Sequence, residues 1–390
     1  MDKKIFKDIS VIVFATIVTT FLIWLPHILS LNNFYFLNFN EGFNTIYRNF
    51  DGLEYITIAK SFYDPQVISS LPQSLTEIYY AAHFPFYSFL ILIFSPVLGF
   101  LKSMLFVTLL STILAAIAFY FLVKDFKLTH HPLMLSLIFL ILPARWVIVR
   151  SIGSSEPTFI LLIILALYFF LKFEETKNYT AILLTGLFGL LAQLTRPPGI
   201  LLFIALSLFV LWKIFFIEKT KSLSSFFSNA FQYLPLVLIP LGLLGIFYMF
   251  YLSYNDFWAY FNTGDNIHLI FPPFQIFNVN QFWVGTIWLE DIIYLFLLGF
   301  LGGIYLLKKD LKPLGFFVLT YLAASIFVSH RDISRYILPT FPFILIAFEK
   351  VIMSKEFRIV LIIVALAIYL YSQNFILANT APVPNLEAFN

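Results

Sequence analysis

The chain contains no cysteine, so disulfides, thiolate metal sites and cysteine nucleophiles are excluded. Charge is scarce as well. Only 12% of the 390 residues are Asp, Glu, Lys or Arg, roughly half the fraction of an ordinary soluble domain. HExxH, EF-hand, Walker and GxSxG patterns are missing, as are a DxD pair, low-complexity tracts and an internal repeat. What is present is apolar: 61% of residues are hydrophobic and the mean hydropathy is +0.91. Apolar runs of about 18 residues or more recur along the chain, the mark of a polytopic membrane protein. The 50 phenylalanines read as packing material. Membrane lipids are expected partners and nucleic acid is not.

Candidate spans fall at about 9–31, 84–100, 103–123, 132–149, 157–172, 180–195, 198–217, 232–253, 288–307, 313–329, 336–348 and 357–374. The first resembles a signal peptide, but it lacks a small-x-small cleavage site and reads as an uncleaved helix. Lysine placement tests which segments cross. With Lys3, Lys4 and Lys7 cytoplasmic, a crossing at 84–100 would put the later lysine clusters outside. If 84–100 is interfacial or re-entrant, Lys124/Lys127, Lys172/Lys177, Lys213/Lys219/Lys221, Lys308/Lys309/Lys312 and Lys350/Lys355 all fall inside. The second arrangement is expected. It gives about eleven spans in one membrane-embedded domain over 1–390, with a cytoplasmic N-terminus and an outer C-terminus in the plasma membrane. Two long outer loops follow, one over 32–100 including the interfacial helix and one over 254–287.

The same topology leaves only Arg358 of the seven arginines inside. Arg48, Arg145, Arg150, Arg196, Arg331 and Arg335 lie at or near the outer face, where a planar guanidinium suits phosphate oxygens. Pairing with outer carboxylates or lipid headgroups is the plainer explanation of such a rim.

Candidate site residues cluster on that face. In "FDGLEYITIAKSFYD", from Phe50 to Asp64, Asp51 and Glu54 share one face of a helix. They also have capping-box spacing, and Leu53, Ile56, Ala59 and Tyr63 form a stripe suited to the membrane interface. "HFPFYSFLILIFS" begins at His83 with a proline-started aromatic helix, either a cavity wall or an interfacial anchor. "RSIGSSEPTF" sets Glu156 at a helix start, as a cap or facing the cavity that holds Asp51. "LTRPPG" sets Arg196 at the outer end of a span. "SHRDISRYILPTFP" gathers His330, Arg331, Asp332, Arg335 and Tyr336 in one outer turn, a clamp for a phosphate leaving group or a headgroup-facing loop. Asp51, Glu54, His83 and Glu156 are the groups available to a divalent cation, Mg2+ or Mn2+; their spacing demands none.

In order along the chain, "NFDGLEYITIAKSFYD", "HFPFYSFLI", "SSEPTF", "LTRPPGIL" and "SRYILPTFP" resemble motifs of the GT-C superfamily of membrane glycosyltransferases. The likeness is greatest to bacterial and archaeal PIG-V-like mannosyltransferases, with aminoarabinose-transferase and protein-O-mannosyltransferase families as cousins. Phe50 stands where the family has tryptophan, and Ser61-Phe62 where it has Gly-Tyr. The resemblance implies a GT-C-like fold and a sugar donor carried on a polyprenyl phosphate. It also implies an inverting transfer on the outer face, with Asp51 as general base. Glu54 would assist, and Tyr55, His83 and Glu156 would help to position the substrates. Arg335, with Arg331, Arg196, His330 and Tyr336, would hold the lipid phosphate, and Trp258 and Tyr260 would cover the sugar. The acceptor would be a glycan, lipid or protein. A transporter or flippase of a lipid-linked or anionic substrate, and an oligosaccharide polymerase or ligase, are the competing classes. Transporters place ionisable groups near the bilayer midplane; here only Arg145 sits well inside a span, and the other polar residues gather at one face.

Overall fold

The computed structural model describes residues 3–49, 51–72, 75–219, 222–263, 269–284, 289–383 and 385–389. Phe50, Lys221 and parts of the second long loop, 264–268 and 285–287, therefore lie outside the described residues. The main helices in chain order are α1 (Lys3–Ile28), α2 (Gly52–Ser61), α3 (Pro85–Leu98), α4 (Phe100–Asp125), α5 (Pro132–Phe139), α6 (Ala144–Val149), α7 (Glu156–Thr176) and α8 (Tyr179–Thr195). They continue with α9 (Ile200–Trp212), α10 (Leu223–Phe231), α11 (Leu238–Tyr254), α12 (Glu290–Lys308), α13 (Lys312–Ser325), α14 (Phe341–Ala347) and α15 (Lys355–Ala378). Among the described residues there is no β-strand beyond isolated bridges.

Among the described residues, seven helical stretches are long and apolar enough to cross a membrane: Lys3–Ile28, Phe100–Asp125, Glu156–Thr176, Pro197–Ile217, Leu234–Tyr254, Glu290–Lys308 and Lys355–Ala378. Pro85–Leu98, Tyr179–Thr195 and Ile333–Ala347 are shorter apolar helices. The segment read as one span at 132–149 is instead two short helices, α5 and α6. They are separated at Leu142-Pro143, because proline supplies no backbone N–H to continue the helix.

The chain forms two compact units. The first contains 1–161, 247–263 and 349–390; the second contains 162–246 and 264–348.

Within the first unit, contacts fix which helix ends lie together. Tyr120, near the end of α4, donates to Asp8 at the start of α1 (2.8 Å). Thr129 donates to Glu349 (2.6 Å), just before α15. The lysines at 3–7, 124–127 and 350–355 therefore share one end of this unit. At the opposite end Trp24 donates to the Ser151 carbonyl (2.6 Å), and Gln373 donates to the Ile23 carbonyl (2.9 Å). Lys60 lies over the ring of Phe100 (4.7 Å). Thus α1 runs toward the end that holds α2, and α4 starts from that same end.

Since α1 ends and α4 begins at the same end of this unit, no net traverse of it is left to α3. Its 14 residues reach ~21 Å, short of the ~30 Å hydrocarbon core. Tyr87 contacts Thr108 (2.6 Å) and Phe94 contacts Phe106 (4.9 Å between centroids). Seven residues along α3 thus correspond to two along α4, so α3 lies steeply across the first turns of α4. Tyr87, Ser88 and Ile91 face inward, while Phe89, Ile93 and Val97 are exposed.

This arrangement predicts a labelling pattern in the otherwise cysteine-free chain. Ser69→Cys and Lys102→Cys should react with an impermeant maleimide from one side of the membrane, and Lys127→Cys only from the other. Opposite sidedness at 69 and 102 would mean that α3 crosses after all.

In the second unit, α9 and α13 pack antiparallel: Lys312 lies over Trp212 (5.4 Å) and Phe316 contacts Phe209 (5.9 Å). The lysine-bearing end is tied by Glu174, which accepts from Tyr233 (2.6 Å) and pairs with Lys213 and with Lys177 (3.3 Å). Arg196 precedes α9 and the 326–336 turn follows α13, so both belong to the opposite end of this unit.

Candidate active site

In the first unit the site is built on α2. Asp51 precedes the helix with φ −63° and ψ 0°, already helical, and its side chain makes no cap hydrogen bond. A carboxylate reaches the first-turn N–H groups from extended backbone, so the expected capping box is not formed. Gly52 N–H instead donates to the Asn49 carbonyl (3.4 Å) and Tyr55 N–H to the Asp51 carbonyl (3.2 Å). The half-buried Asp51 carboxylate is thus not committed to helix capping.

The apolar stripe of α2 also differs from expectation. Leu53, Ile56 and Ala59 are at most 2% exposed and pack with Tyr87, Ile91, Met104 and Val107. The stripe faces protein rather than the membrane interface because α3 and α4 cover it.

Two glycines let this helix approach the 150–156 turn. A Cβ on Gly52 would stand 2.8 Å from Met104 Sδ and 3.3 Å from the Gly153 carbonyl; one on Gly153 would stand 2.2 Å from Met104 Sδ. Gly153→Ala should therefore cost about 1–3 kcal/mol by overpacking, read as a lowered unfolding temperature. A Met104→Ala background should relieve part of that loss; purely additive effects would remove the steric explanation.

Glu156 opens α7 and is only 1% exposed. It accepts from the Ser154 hydroxyl, whose oxygen accepts in turn from the Glu156 N–H (3.4 Å). Ser155 bonds the Tyr55 hydroxyl (2.7 Å), and Tyr87 accepts from Ser154 N–H (3.1 Å). The two serines that precede Glu156 thereby join the start of α7 to α3 through Tyr87 and to α2 through Tyr55, four residues from Asp51. Glu156 before Pro157 was the sequence signal for this helix start, but the tyrosines that its serine neighbours bond left no local pattern.

His83 is buried, its ring edge-on to Tyr55 (5.1 Å) and beside Tyr79 (5.6 Å). Its carbonyl accepts from the Tyr63 hydroxyl (2.6 Å). Burial above all, then Tyr254 and Tyr55, pushes the Tyr63 phenol well above its ordinary range. Tyr80, not anticipated from sequence, is fully buried; desolvation first and the Glu54 carboxylate second raise its pKa. Both phenols are neutral at physiological pH, and Tyr63 donates to the His83 carbonyl. Tyr260 packs against Phe84 (5.8 Å), and Trp258 is exposed beside Phe247 and Phe261. Of the predicted residues in this unit, the structure gathers Asp51, Glu54, Tyr55, His83 and Glu156 around α2, with Tyr260 one layer out.

In the second unit, the basic turn is compact. His330 Nδ1 accepts from Asp332 N–H (3.0 Å), which leaves Nε2 as the donor of the neutral ring. The His330 and Tyr336 rings meet edge-on (5.2 Å). Arg335 is 7% exposed, and its N–H donates to the Asp332 carbonyl (2.7 Å). Arg331 is exposed and lies over the Phe282 ring (5.7 Å). Residues 269–281 cover the chain just ahead of the turn: Ile270 N–H donates to Phe327, Phe274 N–H to Ile326, and Gln281 to Ser329 (2.8, 2.7 and 3.0 Å). Arg196 caps α8 in extended backbone, half-buried.

No protein-family profile matches the chain, and no curated protein matches it. Solved structures do match in fold, among them the archaeal oligosaccharyltransferase AglB from Archaeoglobus fulgidus, determined in complex with an inhibitory peptide and a dolichol-phosphate. It aligns with 99% of this chain at a TM-score of 0.52 and 15% sequence identity. The chain has a GT-C-like fold. It spans 57% of the length of AglB, and at this identity the likeness is one of fold. It does not single out the PIG-V-like mannosyltransferases among GT-C families.

Among the described residues no group of three or more His, Asp or Glu side chains converges to hold a divalent cation. Asp51, Glu54, His83 and Glu156 do not form such a set.

Proposed function

We propose that the chain is an inverting membrane glycosyltransferase. It would move a sugar, most simply a mannose-like hexose, from a polyprenyl-phosphate carrier to an acceptor hydroxyl at the outer face. The observation that carries this reading is the Asp51 carboxylate, left out of helix capping on a helix packed against α3, α4 and the 150–156 turn. The GT-C-like fold adds support, since its solved counterpart holds a dolichol-phosphate.

In this reading the acceptor hydroxyl gives its proton to Asp51 as its oxygen attacks the anomeric carbon. A new C–O bond forms there while the bond to the carrier phosphate breaks, and the phosphate leaves with the electron pair. Glu54 and Tyr55 would orient the acceptor. Glu156 would act through Ser154 and Ser155, which bear on Tyr55 and Tyr87. Arg335, with Arg331, Arg196 and the His330 Nε2–H, would neutralise the departing phosphate; Tyr336 would steady the His330 ring. Trp258 and Tyr260 offer aromatic faces for a sugar. The N-terminus would be cytoplasmic and the C-terminus outside.

A second reading, transfer of a whole oligosaccharide to a peptide or glycan, draws on the chemistry named for AglB. Membranes containing the chain, incubated with a panel of labelled polyprenyl-phosphate monosaccharides and lipid-linked oligosaccharides, separate the two. A single sugar should leave its carrier and appear on a glycan, lipid or protein. Release from the oligosaccharide donor alone would favour the second reading, and no release from any donor would end both.

A further inference from the structure

The segment after α15 turns back onto the first long loop. Asn49, fully buried, donates from its side chain to the Ile376 carbonyl (2.7 Å). Asn49 and Thr380 form an antiparallel bridge, and Ala381 N–H donates to the Arg48 carbonyl (2.7 Å). Farther on, the short turn Leu386–Phe389 packs on α2. There Lys60 Nζ donates to the Ala388 carbonyl (3.0 Å), and Phe389 is fully buried in the cluster containing Leu53, Tyr55, Ile56 and Ala59. Thr380 and Ala381 are therefore pinned just before the start of α2, and Ala388 again at its last turn. A helix of 10 residues is ~15 Å long, and the chain from 381 to 388 reaches up to ~24 Å, enough to run its length.

We propose that residues 379–389 are a strap that fixes α2, and with it Asp51, in working position. The catalytic consequence rests on the reading above; the mechanical part stands on these contacts alone. Asn49 links the two. It holds Ile376 and Thr380 while its own carbonyl receives the Gly52 N–H beside Asp51. With no side-chain cap on Asp51, the start of α2 takes its direction from Asn49, and Asn49 takes its place from the strap. The strap residues do not touch the reacting atoms in this scheme; they are positioning residues.

Hydrogen exchange and turnover in the full-length chain test this. Phe389→Ala should speed amide exchange across 52–61 on the order of tenfold and leave 104–122 in α4 unchanged. In the transfer assay, kcat should fall about tenfold or more with the donor KM within about twofold. Phe389→Leu should restore both. Lys60→Met, which keeps the aliphatic stem over Phe100, should give the same signs if Phe389→Ala fails to accumulate. Unchanged exchange at 52–61 in a folded variant would overturn the strap. So would a loosened α2 with full kcat, or a loss confined to KM. If the unaltered chain transfers no sugar, the transferase reading fails, and the exchange measurement still decides the strap.

Discussion

Asp51→Asn is expected to lower kcat by about 10²–10⁴-fold, the usual range for removing a general base, while leaving the unfolding temperature nearly unchanged. The two halves follow from the same geometry. Asp51 makes no side-chain cap hydrogen bond, so the amide loses no helix-start contact, and asparagine is as good as aspartate at such a position in any case. The amide keeps the shape of the carboxylate but cannot accept the acceptor proton. A residue that merely started α2 would leave kcat unchanged. Single-turnover transfer measured beside thermal unfolding separates the cases, and full activity in the folded variant would remove Asp51 from the mechanism. Glu54→Gln, one helical turn away, should lose less, because Glu54 is assigned to orientation rather than to proton transfer.

Much of the architecture was legible because it is local. Lysine spacing relative to apolar runs located the ends of the helices, and it identified 84–100 as a segment that does not cross. In the first unit Asp8–Tyr120 lies at one end and Lys60–Phe100 at the other, the arrangement of helix ends that this expectation requires. Asp51, Glu54, Tyr55, His83 and Glu156 were also named from sequence, and the structure brings them to one helix.

What was not legible is non-local or depends on backbone angle. Asp-x-x-Glu carries capping-box spacing, but whether the cap forms depends on the ψ of Asp51, which the preceding Asn49 turn sets. Asn49 and Thr380, or Lys60 and Ala388, are more than 300 positions apart, and no periodicity reports such a pair. The second long loop read as a single cover. Its described residues divide, 254–263 belonging to the first unit and 269–284 to the second. Gly52 and Gly153 gave no signal either, because a glycine required by a neighbouring methionine looks in sequence like any other glycine.

Arg335→Ala is expected to weaken binding of a polyprenyl phosphate by about 10–100-fold and to lower transfer by about 10²–10³-fold. The excess over binding arises because negative charge on the phosphate grows as the sugar bond breaks. Arg335 is the buried arginine of the turn, at 7% exposure, and its backbone is fixed by Asp332. Arg331 is exposed over Phe282, where solvent and salt screen its charge, so Arg331→Ala should cost less than tenfold in either measurement. Arg335→Lys keeps the charge but loses the planar pair of donors, and should recover only part of the loss. It also guards against misreading a folding defect, since the lysine variant preserves most of the buried stem. Equilibrium binding of the carrier phosphate and turnover, measured on the same preparations, give the decisive comparison. Lost turnover with unchanged carrier binding would assign Arg335 to the structure of its turn rather than to the leaving group.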